Sequence, residues 1–234
     1  MSHFFRADPQ SRSAFPIAEP GYPLIAAAGF ATLIFALVNI VSLALLALAV
    51  TFFICWFFRD PDRITPDTQG ALVSAADGKV VCVRVTDSNP YVAGRCLQIG
   101  VFMNLFSVHV NRIPCSGRVR KISYTPGRFN PADRETAFSH NERNAVILES
   151  ETGYTVGVLQ IAGLVARRII CNTGENQAVK TGQRFGMICF GSRVDLFLPE
   201  GSRATVAVGD KVRAGASILG YLPDTATQSE SPPR

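Results

Sequence analysis

Phe185-Gly186-Met187-Ile188-Cys189-Phe190-Gly191-Ser192-Arg193-Val194-Asp195-Leu196-Phe197-Leu198 reads as two apolar runs, Phe185 to Phe190 and Val194 to Leu198, interrupted by Gly191-Ser192-Arg193. A glycine inside such a run weakens a strand and asks for a reason. One reason is a β-bulge; the other is chemistry at the Gly-Ser pair. Outward from this stretch the texture holds. Beyond Pro66 short runs rich in Val, Ile, Phe and Thr alternate with Asp77-Gly78, Ser116-Gly117, Pro126-Gly127, Thr152-Gly153 and Gly209-Asp210. That is the grammar of strands and tight turns. Strands are expected over Leu72 to Ala75, Lys79 to Thr86, Cys96 to Met103, Arg118 to Tyr124, Ala145 to Ser150, Thr155 to Ala162, Arg168 to Cys171, Phe185 to Phe190, Val194 to Leu198 and Ala204 to Val208. The body is therefore expected to be mainly β, a sandwich or half-barrel with few short helices. Asn130 to Arg143 is polar and long enough for a lid or a partly helical loop.

The 234 residues are 47% hydrophobic and 18% charged, which excludes a disordered or collagen-like chain. The apolar residues are unevenly spread: from Gly21 to Phe58 no side chain is charged. Tyr22 to Phe58 is too long for one crossing of about 20 residues, and Asn39 and Ser42 divide it. A helical hairpin is expected, with both ends cytoplasmic and Trp56 in an aromatic belt at the headgroups. A cleaved signal peptide has a shorter apolar core followed by a small-residue cut site; here Trp-Phe-Phe-Arg-Asp-Pro follows. The expected organisation is a polar tail over 1–20, a membrane-associated hairpin over 21–58, a catalytic β-rich domain over 59–224 and a disordered tail over 225–234.

The net charge of +5 comes without a run of basic residues, which argues against nucleic acid and for an anionic membrane surface. Arg6, Arg12, Arg59 and Arg63 flank the apolar stretch. The six cysteines form no Cys-x-x-Cys pair and have no histidine at zinc spacing, so no metal site is expected, and free thiols suit a cytosol-facing body. Gly209 to Gly220 sets glycines around short apolar runs as lipoyl- and biotinyl-type half-barrels do, without the carrier lysine of a hairpin tip. His3 and His140 read as surface residues.

Of the two Gly-Ser pairs, Gly201-Ser202 follows Pro199-Glu200 as a surface turn, leaving Gly191-Ser192 as the reactive candidate. A serine Oγ reaches the carbonyl carbon of the preceding residue through a five-membered ring. Glycine there removes an obstructing Cβ and permits a strained backbone. The peptide becomes an ester; elimination across Cα and Cβ then frees the upstream chain, and the dehydroalanine left behind hydrolyses to a pyruvoyl group with loss of ammonia.

Arg184 to Pro199 closely resembles the processing motif of the short bacterial and archaeal form of phosphatidylserine decarboxylase. Trp56-Phe57-Phe58-Arg59-Asp60-Pro61, Ala76-Asp77-Gly78-Lys79-Val80, Phe106-Ser107-Val108-His109-Val110-Asn111-Arg112 and Asn141-Glu142-Arg143-Asn144 resemble further segments of that family in the same order. The resemblance implies a lyase made as a zymogen: self-cleavage gives a β chain 1–191 ending at Gly191 and an α chain 192–234 whose Ser192 has become the pyruvoyl cofactor. It implies that Asp77 and His109 activate Ser192, a triad by role. It further implies decarboxylation of phosphatidylserine to phosphatidylethanolamine through a Schiff base with the substrate amine, as a step of phospholipid biosynthesis at the cytoplasmic face of the cell membrane. Longer members carry a second histidine where Arg112 stands, and Ala75 replaces a proline often found before the Asp-Gly turn, so His109 is expected to serve both processing and turnover. Arg112, Arg143 and Arg193 are candidate holders of the phosphodiester. The two chains are expected to stay associated, and a homo-oligomer stays open.

Two other readings compete. A membrane-tethered β module that binds or carries a group predicts an uncut chain. A serine hydrolase using Ser192, His109 and Asp77 predicts reaction with fluorophosphonates, although the Gly-x-Ser-x-Gly elbow is missing.

Overall fold

The computed structural model describes residues 3–5, for backbone only, and 16–128, 130, 141–163, 168–189 and 191–223. Among them, 16–62 with Phe106–Val108 form one compact unit, and 3–5, 63–105 and 109–223 another.

The first unit is a helical hairpin. Helices α1 (Tyr22–Leu37) and α2 (Val41–Phe57) are joined through Val38, Asn39 and Ile40. Asn39 takes φ 60°, a left-handed conformation asparagine tolerates. Phe30, Leu33, Leu37, Leu45, Leu46 and Phe52 are all exposed, an apolar surface that suits lipid. Both threonine hydroxyls are internally satisfied, as a spanning helix favours: Thr32 and Thr51 bond the carbonyls of Ala28 and Ala47 at 2.9 and 2.8 Å and face each other at 3.3 Å. With the turn before α1, Glu19–Leu37 is long and apolar enough to cross a membrane, whereas Val41–Phe57 is shorter. The two ends of the hairpin lie side by side, since Ala18 N donates to Phe58 O at 2.8 Å and Asp60 N to Pro16 O at 2.6 Å. At this base the Arg59 guanidinium sits 4.1 Å over the Trp56 ring and donates to the Phe106 carbonyl at 2.6 Å.

The second unit is almost all strand. It comprises β1 (His3–Phe5), β2 (Thr65–Asp67), β3 (Ala71–Val73), β4 (Gly78–Thr86), β5 (Cys96–Met103), β6 (Val110–Arg112), β7 (Gly117–Thr125) and β8 (Arg143–Ser150). Then follow β9 (Thr155–Ile161), β10 (Ile169–Cys171), β11 (Ala178–Val179), β12 (Arg184–Ile188), β13 (Ser192–Pro199), β14 (Arg203–Ala204), β15 (Lys211–Val212) and β16 (Ile218–Tyr221). The expectation of a mainly β body behind an apolar helix pair is met. The principal sheet is antiparallel, in the order β11-β7-β8-β9-β13-β5-β4-β15, with small sheets β10-β12-β6 and β14-β16-β3 beside it.

Both faces of the principal sheet are covered, so β13 is buried from Ser192 through Leu198. Val194, Leu196 and Leu198 enter the main core with Val80, Ile99, Val101, Met103, Val146 and Val158. Phe197 enters a second cluster with Val92, Cys96, Ala145, Leu159 and Ile161. Two one-sided faces would have produced alternation in the sequence; two covered faces produce the near-continuous apolar run.

Gly186 is where the small sheet most depends on a missing side chain. A Cβ there would lie 2.1 Å from the Ile170 carbonyl oxygen and 3.1 Å from Gln160 Nε2. Gly186→Ala is expected to cost about 1–3 kcal/mol by overpacking, read as a lowered melting temperature of the full chain in detergent.

Candidate active site

Ser192 opens β13, facing Met103 of β5 across the ladder, and its relative exposure is 0%. Strand alternation puts its side chain on the Val194 face, toward the main core. Gly191 before it takes φ +65°, while a Cβ added there would meet nothing within 4 Å. The requirement for glycine is thus torsional, a left-handed backbone ahead of the serine, with no crowding involved. The Ser192 hydroxyl donates back to the Ile188 carbonyl at 3.4 Å.

Ile188 ties this serine to the histidine motif. Its amide donates to the His109 carbonyl at 3.4 Å, extending the β12–β6 pairing in which Met187 faces Val110. His109 is fully buried. On strand alternation it falls on the side of Asn111, whose side chain reaches Met103, the cross-strand partner of Ser192. Ser192, Ile188 and His109 therefore form one buried neighbourhood at one end of the principal sheet, with the half-buried Gly191 beside it.

Asp77 stands at that same end, two strands over. Lys79 of β4 faces Phe102, whose successor Met103 faces Ser192. The Asp77 carboxylate accepts from Arg63 at 2.7 Å and from the Ala214 amide at 2.7 Å, and is largely buried. Arg63, expected only to flank the membrane, thus has a place beside a site carboxylate.

The three arginines are dispersed. Arg193 and Arg143 both face Ile161 from neighbouring strands, which sets them on the sheet face opposite Ser192. Arg193 is 3% exposed and its guanidinium bonds Asp195 at 2.5 and 2.9 Å; Gln98 donates to the same carboxylate at 2.7 Å. Burial pushes the Asp195 carboxyl up, against the pull of Arg193 and Gln98. Burial pushes the Tyr91 phenol up, with the nearby Arg143 cation pulling the other way, and Arg112 donates to the Gly182 carbonyl at 2.9 Å.

Cys189 lies three residues before Ser192. Burial pushes its thiol up to about 11, so near neutral pH it does not compete as a nucleophile. All six cysteines are free thiols. Among the described residues no cluster of His, Cys, Asp and Glu could hold a metal. The expected lid over Asn130 to Arg143 lies for the most part outside the described residues, with Arg143 itself opening β8. Phe190, His140 and the tail 225–234 also lie outside them, as does the side chain of His3.

The family model for phosphatidylserine decarboxylase matches residues 50–220. The chain belongs to that family. Relatives agree over nearly their whole length. The phosphatidylserine decarboxylase proenzyme of Desulfotalea psychrophila (strain LSv54 / DSM 12343) is 45% identical over 207 residues, 88% of this chain and 97% of that protein. The proenzyme of Syntrophus aciditrophicus (strain SB) is 47% identical over 205 residues, covering 87% and 96%. That of Geotalea uraniireducens (strain Rf4) is 44% identical over 208 residues, covering 89% and 97%. By this membership the chain is a decarboxylase made as a zymogen.

Sequence reasoning assigned no role to three buried amides on the Ser192 face: Asn111, Gln160 and Asn144. Their signal was a polar side chain inside an otherwise apolar strand, as with Gln160 between Leu159 and Ile161.

Proposed function

We propose that this chain decarboxylates phosphatidylserine to phosphatidylethanolamine, and that it first cuts itself between Gly191 and Ser192 to make a pyruvoyl group from Ser192. The observation that carries the reading is the buried Ser192 held behind a left-handed Gly191, one residue pairing away from His109. The residues fit the group: the serine is shielded from water, the glycine relaxes the backbone for attack on its own carbonyl, and the neighbouring Cys189 is held protonated.

In the cleavage, the His109 imidazole takes the hydroxyl proton as Ser192 Oγ attacks the Gly191 carbonyl carbon. The C–N bond breaks and the ester forms, the amide nitrogen of residue 192 taking up a proton. Removal of the Ser192 Cα proton then expels the Gly191 carboxylate, and water replaces the nitrogen as ammonia. Asp77, fixed by Arg63 and the Ala214 amide, supplies a carboxylate at this end of the sheet that can help orient the reacting groups. The group so formed supplies a ketone that condenses with a primary amine and takes up the electrons left by departing carbon dioxide. His109 then delivers a proton to the product carbon. Burial excludes bulk water from the reacting carboxylate.

The hairpin tethers the body to the cytoplasmic face of the cell membrane, where a diacyl substrate resides. Leu33 and Leu46 are 53% and 61% exposed. Replacing both with arginine places two charges at bilayer depth, at about 2.5–3.5 kcal/mol each. Loss of most liposome flotation is expected, with decarboxylation of vesicle-borne substrate falling in parallel.

Intact-mass spectrometry of the purified protein tests the central claim. Two species corresponding to residues 1–191 and 192–234 are expected, the smaller lacking a free amino terminus and trapping substrate amine under borohydride. A single unprocessed chain that still decarboxylates phosphatidylserine overturns it.

A further inference from the structure

The three buried amides form a directed relay on the Ser192 face. Asn144 Nδ2 donates to Gln160 Oε1 at 3.0 Å, and Gln160 Nε2 donates to Asn111 Oδ1 at 2.9 Å. Gln160 Nε2 also points at the Ile170 carbonyl, 3.4 Å away, through the gap Gly186 leaves. A carbonyl accepts only, so the Gln160 amine is fixed as the donor and Asn111 must present its oxygen to it. The Asn111 amine is thereby turned the other way, toward the Ser192–Met103 pair.

What it meets there is poor. Asn111 Nδ2 lies 3.7 Å from the Met103 sulfur, a weak acceptor, and its second N–H has no acceptor among the described residues. Asn111 has a relative exposure of 0%, as has Gln160, and Asn144 is 3% exposed. A buried donor is costly to leave unmet, and three amides cooperate to keep it aimed at this spot. Among the described residues no oxygen meets it, which leaves this place to an oxygen brought by a ligand.

The geometry points to Asn111 as a substrate-orienting donor that takes an anionic oxygen of the phosphoserine headgroup beside residue 192, an inference that rests on Ser192 being the reacting residue. Two oxygens share that chemistry, the retained phosphodiester and the departing carboxylate. They separate kinetically. A bond to the phosphodiester is the same in ground and transition states, so its loss raises KM alone. A bond to the carboxylate holds the ground state back, so its loss raises KM and kcat together.

The test uses full-length Asn111→Leu and Asn111→Asp beside the wild-type chain in vesicles of phosphatidylserine and phosphatidylcholine. Both variants are expected to self-cleave to completion on a denaturing gel, because the donor is idle before cleavage. KM for phosphatidylserine is expected to rise about 10- to 100-fold in Asn111→Leu, the range for a hydrogen bond to a charged group. It rises further in Asn111→Asp, which keeps the Gln160 contact but opposes an anion with an anion. A merely structural role gives the reverse order, with Asp milder than Leu. That order, a KM within twofold of wild type, or uncut or aggregated product from both variants overturns the inference. An uncut wild-type chain instead sinks the reading of Ser192, and this inference with it.

Discussion

Ser192→Ala is expected to accumulate as one chain of 234 residues with no measurable decarboxylation, while melting close to the uncut wild-type fold. Among the described residues the hydroxyl makes one long bond, 3.4 Å to the Ile188 carbonyl, so its removal costs little stability. All of the loss is chemical, because alanine has neither the nucleophile nor the leaving oxygen from which a ketone is made. Ser192→Thr sharpens the test. It keeps an attacking hydroxyl but adds a methyl to a buried position facing Met103, so slow ester formation is expected, with hydroxylamine releasing the upstream fragment. A Ser192→Ala preparation that appears as two fragments overturns the assignment.

Asp195→Ala is expected to be the most damaging substitution that touches no reacting atom. Asp195 is fully buried, takes two bonds from Arg193 and one from Gln98, and Arg84 donates to Gln98 behind it at 2.9 Å. Removing one partner of a buried pair costs about 3–5 kcal/mol, because the other charge is left in a dry interior. That is a large share of a typical 5–15 kcal/mol. Thermal melting in detergent reads the loss. Asp195 is three positions along β13 from Ser192, so self-cleavage is expected to slow as the strand loosens. Arg193→Met combined with Asp195→Leu removes both charges, and recovery of most of the lost stability is expected. A double variant no more stable than Asp195→Ala alone refutes the electrostatic account.

This pair also shows what was legible in the sequence. The strands around Gly191-Ser192 were readable because both faces of β13 are covered and the residues are accordingly apolar. Arg193 was one of three candidate holders of the phosphodiester. In an extended strand, neighbours in sequence point to opposite faces, and Arg193 shares its face with Asp195, two residues on. The Arg-x-Asp spacing was the signal that the guanidinium belongs to an internal pair.

Elsewhere local turn chemistry prevailed over apolar texture. Ala204 to Val208 looked like a strand, but β14 ends at Ala204, where Asp210 captures the Ala207 amide at 2.9 Å and Gly209 takes φ +108°. β6 was missed because Val110–Arg112 is too short for any periodicity to register. Its placement depends on pairing with β12, a long-range contact that one sequence does not display. The relay through Gln160 was hidden for the same reason, since Asn111 reaches it from a strand 49 residues away in the chain.

β13 lies between β5 and β9, with full ladders on both sides. A break just ahead of its first residue leaves the fragment from 192 onward wedged into the middle of a sheet that the other fragment builds, with β16 also paired to β3. The proposed scission would therefore release nothing: the two pieces part only if four ladders, β13–β5, β13–β9, β15–β4 and β16–β3, unzip together. Once they do part, reassembly becomes second order, so the matured protein should recover from denaturation at a rate that depends on concentration, where the unbroken precursor refolds independently of it.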